Sequence, residues 1–105
     1  MMRGLFAKKI KSDWDYSLMV CRKCTKRQKG GFGKKGKSPL AKMLRKALGA
    51  KKGRKSNIGV VEVGCLGVCP RHAVVMIDSR APQEWMLVTP GADVDALARE
   101  ISGGA

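Results

Sequence analysis

The chain has 105 residues, enough for one domain, and carries a formal net charge of +14. No apolar run approaches the ~20 residues that cross a bilayer. Residues 1–12 are basic and lack the apolar stretch of a secretion signal, so the sequence reads as intracellular and cytoplasmic. Patterned cysteines in that compartment point to metal or redox chemistry before disulfides.

In chain order, Trp14, Tyr16, Leu18 and Val20 alternate with Asp13, Asp15, Ser17 and Met19. This period of two predicts a strand over 15–20, ending at Cys21. Cys21 and Cys24 form a C-x2-C pair at its end. The segment 25–37 holds Gly30, Gly31, Gly33 and Gly36 among lysines and is expected to be a mobile basic insert. Ser38-Pro39 reads as an N-cap and first helical residue. Leu40, Met43, Leu44, Ala47 and Leu48 then recur at helical spacing, with Gly49 placed to stop the helix. A basic linker, 51–56, leads to a β-branched strand over 58–63.

Cys65 and Cys69 follow that strand in the run Gly64-Cys65-Leu66-Gly67-Val68-Cys69-Pro70. Strands are predicted over 73–77 and 84–89, joined by a turn containing Pro82. Asp93 caps a last helix with Val94, Leu97, Ala98 and Ile101 on one face. The order is β-α-β-β-β-α, and no internal repeat is present. A strand–helix–strand crossover makes its two strands parallel, which brings both cysteine pairs to one sheet edge. The last two strands, joined by a short turn, are expected to be antiparallel.

Four thiolates at C-x2-C and C-x3-C spacing suit tetrahedral metals: structural zinc or a [2Fe-2S] cluster. Gly64 and Gly67 allow tight turns and expose amide N–H groups toward sulfur. A third reading is a dithiol oxidoreductase using Cys21 and Cys24. That chemistry needs a low-pKa thiol, usually at a helix N-terminus. The sequence after Cys21 shows no clear helix, and the reading leaves Cys65 and Cys69 unexplained. The sequence contains no paired general acid and base, nucleophile triad or phosphate-loop motif.

Around these residues the chain resembles the thioredoxin-like [2Fe-2S] ferredoxins, and the related domain of the small flavoprotein-fraction subunit of respiratory complex I. The resemblance rests on Val20-Cys21, on the run "CLGVCP" after the second strand, on the strand "AVVMI" and on the tail "EWMLVTPGADVDALAREI". It covers about residues 14–24 and 38–102. It implies a thioredoxin-like α/β fold with a mixed four-stranded sheet, interrupted here by a disordered basic loop. It further implies a [2Fe-2S] cluster held by Cys21, Cys24, Cys65 and Cys69, and one-electron transport without catalysis. Those ferredoxins space the first cysteine pair more widely and are commonly acidic.

Here the charge is concentrated. From Arg22 to Lys55 there are 15 Lys or Arg and no Asp or Glu, while the remaining 7 basic and 8 acidic residues nearly cancel. Such a block is expected to dock an acidic redox partner beside the cluster. Nucleic acid is a second candidate, for which Phe32 alone offers an aromatic to stack on a base. A homodimer is left open. His72, close to Cys69, is expected at the surface with no role. Trp14, Tyr16, Trp85 and the methionines are expected in the core.

Overall fold

A computed structural model describes residues 8–68 and 70–103. Among these described residues the frame is a four-stranded mixed sheet with three helices. Strand β1 (Tyr16–Cys21) leads to helix α1 (Arg22–Arg27), then α2 (Leu40–Leu48) and β2 (Ile58–Val63). β3 (Val74–Asp78), β4 (Met86–Val88) and α3 (Val94–Gly103) complete the chain. The sheet order is β2-β1-β3-β4. β1 runs parallel to β2, from Tyr16 opposite Ile58 to Cys21 opposite Val63. β1 pairs antiparallel with β3, and β3 with β4. The expected crossover and antiparallel hairpin are both present.

The core follows from strand alternation. Leu18, Val20, Val60, Val74 and Met76 lie with Leu40 and Leu44 of α2 and Val94 and Ile101 of α3 in one buried cluster. Burying side chains of this size contributes about 1.5–3 kcal/mol each. α2 carries its apolar residues at helical spacing and ends on Gly49 at φ +66, as the sequence predicts. Its N-cap is Pro39 without a side-chain hydrogen bond, so Ser38 does not cap it. At α3 the Asp93 carboxylate does accept the Ala96 N–H, at 3.1 Å. Asp78 and Arg80 tie the sheet to α3: the guanidinium meets the carboxylate at 2.7 Å and donates to the Ile101 carbonyl at 2.9 Å.

Two departures from the expected order lie in the crossover. First, a helical turn, α1, begins immediately after Cys21. Arg and Lys are good helix formers, and Lys26 and Arg27 sit in its last turn, where cations complement the helix dipole. Second, the segment 25–37, expected to be mobile, is folded. Phe32 is fully buried in the core, and its backbone pairs with Ser38 through N···O contacts of 3.1 and 2.8 Å. Gly30, at φ +87, abuts the Lys37 carbonyl, a place no side chain could occupy. Glycine composition alone suggested disorder; one large apolar residue anchors the turn instead. Phe32 is therefore a core residue and not an exposed stacking platform.

The aromatic residues divide. Trp14 lies over Gly59 and donates its indole N–H to the Gly53 carbonyl at 2.9 Å, fixing the basic linker beside β2. Tyr16 is half-buried under the Arg80 guanidinium, 3.7 Å from its ring centre. Trp85, expected in the core, is 42% exposed because β4 is a short edge strand that begins only at Met86. Among the described residues no helix is long and apolar enough to cross a membrane.

Candidate metal centre

The parallel pairing of β1 and β2 decides where the cysteines go. Cys21 is the last residue of β1 and faces Val63, the last residue of β2. Cys65 stands two residues beyond Val63, so the two cysteine loops leave the same end of the sheet. Cys69 lies outside the described residues.

Cys21 is the N-cap of α1, and its Sγ accepts the Cys24 N–H at 3.4 Å. Thr25 fixes the same turn by donating its hydroxyl to the Cys21 carbonyl at 2.9 Å. Burial pushes the Cys21 thiol up. Hydrogen bonds from the amide and side chain of Cys24 and from the amides of Leu66 and Lys23 outweigh it, and the thiol is lowered below its ordinary value. The Leu66 amide comes from the second cysteine loop, so the two loops meet at this sulfur.

Further contacts hold them together. The Cys24 thiol points at the Val68 carbonyl, 4.0 Å away. Gln28 donates to the Arg71 carbonyl at 2.7 Å, and Arg27 to the Pro70 carbonyl at 3.5 Å. Thus α1 and the turn after it grip both ends of the stretch 68–71. In that second loop the Gly67 N–H reaches the Cys65 Sγ at 3.4 Å. Sequence reasoning missed Thr25, Gln28 and Leu66. All three act through backbone groups, which leave no spacing signature.

Burial differs sharply among the thiols. Cys21 is 0% and Cys24 2% exposed, whereas Cys65 is exposed. Val68 is 43% exposed beside them, and His72 is at the surface as expected. Among the described residues, no three His, Cys, Asp or Glu side chains stand close enough together to hold a metal ion. Gly67, at φ +89, takes a backbone conformation that favours glycine and turns this loop. The donor set suits thiolate ligation: soft sulfur ligands, one already lowered in pKa, with amide N–H groups directed at sulfur from both loops.

Cations surround this end of the molecule. Arg22, Lys23 and Lys26 of α1 are exposed beside Cys21 and Cys24. No protein-family model, curated protein or solved structure matches the chain.

Proposed function

We propose that the protein binds a [2Fe-2S] cluster through Cys21, Cys24, Cys65 and Cys69 and acts as a one-electron carrier on a thioredoxin-like fold. The observation that carries this reading is Cys21: a fully buried sulfur, lowered in pKa, that accepts amide N–H groups from its own helical turn and from Leu66 of the opposite loop. A protein that holds thiolates against desolvation needs such donors. Bound there, the cluster supplies a site that gains and loses one electron.

The chain's own residues then set the conditions. The core shields Cys21 and Cys24, and the exposed loop with Cys65 and Val68 forms the edge a partner reaches. Arg22, Lys23 and Lys26 favour added negative charge at the thiolates. One exposed charge ~8 Å away is worth ~0.5 kcal/mol in water, or ~20 mV for one electron. The same cations would steer an acidic redox partner toward that edge.

The dithiol oxidoreductase gains one specific observation. Cys21 caps a helix, the placement that activates such thiols, where the sequence pattern predicts none. Against it stands accessibility: a thiol that attacks a disulfide must be reached by it, and Cys21 is 0% exposed. Structural zinc would use the same four sulfurs.

One experiment separates the three. Protein purified or reconstituted without air should contain two irons and two acid-labile sulfides per chain, with visible absorbance that dithionite bleaches. Serine at any one of the four cysteines should abolish it. Stoichiometric zinc that iron and sulfide do not displace would make the site structural. Disulfide reduction that survives the Cys65→Ser, Cys69→Ser double variant would make the protein a thiol enzyme.

A further inference from the structure

Part of the basic block lines a cleft to which no cysteine contributes. The cleft, of about 950 Å3, opens between the turn 33–38, α2 and the start of α3. Lys34, Lys35, Lys37 and Lys46 line it, with Asp93 and Asp95 on the far wall. No residue of either cysteine loop contributes to it. All four lysines are exposed.

The turn that carries three of them is built to hold its shape. The Gly31 N–H reaches the Gly36 carbonyl at 3.1 Å, and Phe32 pairs with Ser38 while filling the core. The Gly91 N–H bonds the Gly31 carbonyl at 2.8 Å, stapling the turn to the loop that enters α3. Lys46 meets these charges from the last turn of α2. Of the two carboxylates opposite, Asp93 is engaged as the cap of α3.

We infer that this cleft binds the phosphate backbone of nucleic acid, without reading its sequence. Four lysines outnumber two carboxylates, and they open the cleft within a block of 15 cations that holds no acid. Specific protein contacts are usually anchored by an aromatic or an arginine at the centre. The lining has neither: its apolar members are Met43, Ala47, Ala92 and Val94, and the nearby aromatic, Phe32, is buried. Lysines act as point charges on flexible stems, which suits a repeating phosphate chain. The lining has no Arg, Asn or Gln to pair with base edges in the bidentate way that reads sequence, so base identity goes unread.

The test uses the full chain and labelled RNA strands and DNA duplexes of about 20 nucleotides, followed by fluorescence anisotropy over a range of salt. Binding should be insensitive to base sequence and should weaken steeply with salt. The K34Q/K35Q/K37Q/K46Q variant should bind about tenfold more weakly. Its salt slope should flatten by about 3, given ~0.7–0.9 per phosphate contact. The linker variant K51Q/K52Q/R54Q/K55Q loses the same charge and should lose clearly less affinity. The fourfold Lys→Arg variant in the cleft should retain binding, which guards against a folding defect. Equal losses in the two Gln variants would overturn the cleft as a site, since net charge alone would then account for binding. Tighter binding of polyglutamate or phosphatidylserine vesicles than of either oligonucleotide would overturn the choice of partner. Neither the cleft nor the test involves a cysteine, so failure here and failure of the cluster reading are separate results.

Discussion

Phe32 shows how one residue changes the meaning of its surroundings. Seven residues of the stretch 30–37 are glycine or lysine, and Phe32 is its one large apolar side chain. Once that side chain is fully buried, the glycines become turn positions, and the lysines become charges at fixed places. Phe32→Ala should therefore destabilise the protein by about 3–5 kcal/mol, the usual cost of emptying a buried aromatic site. Urea unfolding measures it. A shift under about 1 kcal/mol would mean that the ring is not part of the core. Cys21 makes a similar point. Its position after a strand is plain in the sequence, but its pKa is lowered by the amide and side chain of nearby Cys24 and then by the Leu66 amide, 45 positions away.

At the scale of elements, the Asp78–Arg80 pair clamps the end of β3 to the end of α3. Asp78 accepts the Arg80 amide at 2.9 Å and its guanidinium at 3.1 and 2.7 Å, and Arg80 reaches on to the Ile101 carbonyl. Hydrogen bonding by the Arg80 side chain holds the Asp78 carboxyl below its ordinary value, against the opposing effect of burial. A carboxyl lowered in the folded state contributes stability that is present in full above the unfolded pKa, near 4. That stability is lost as pH falls through the lower folded pKa. Asp78→Asn should then cost about 1–2 kcal/mol near neutral pH, with the gap from the wild type closing below about pH 4. Urea midpoints for both proteins at about pH 6 and pH 3 give the comparison. A gap of constant size would show that the loss comes from packing and not from charge.

α1 is the element that most alters the view of the site. It turns the C-x2-C pair into a helix cap, and with the turn after it grips the stretch 68–71 through Cys24, Arg27 and Gln28. Six residues with no apolar periodicity gave sequence reasoning nothing to detect. Its support is tertiary: Cys24 and Thr25 are buried against the sheet.

At the scale of the whole molecule, the core and the site meet at Cys21 and Cys24, which belong to the buried cluster, and at Leu66, which packs against it. Leu18, Val20, Val60, Val74 and Met76 pack with α2 and α3, and none of them belongs to the loop between β2 and β3. The protein without a bound group should therefore keep its sheet. Ligation as proposed would join loops about 40 residues apart, and the energy of binding would become energy of folding. Reconstituted protein should melt at least several degrees higher than the apo protein. Amide exchange should slow most in 64–71, while β1 and β3 are protected in both states. Equal melting midpoints would place the site outside the folding unit. Loss of protection throughout the apo sheet would show that the core depends on the metal.

The sequence by itself determined the four strands, α2 and α3, because alternation and helical spacing are written in neighbouring residues. It also set the parallel pairing of β1 and β2, since a strand–helix–strand crossover returns the chain to the same end of the sheet, and so it brought Cys21 and Cys65 together there. The concentration of cations between Arg22 and Lys55 was equally plain. Only the tertiary structure decided that Phe32 is core, that the glycine–lysine turn is folded, that a helix starts at Cys21 and that Trp85 reaches solvent. Each of these depends on what stands opposite a residue in space: the sheet beneath Phe32, the β2–β3 loop above Cys21, the missing neighbour beyond β4. Local pattern reports the periodicity of an element. It does not report which distant surface that element will meet.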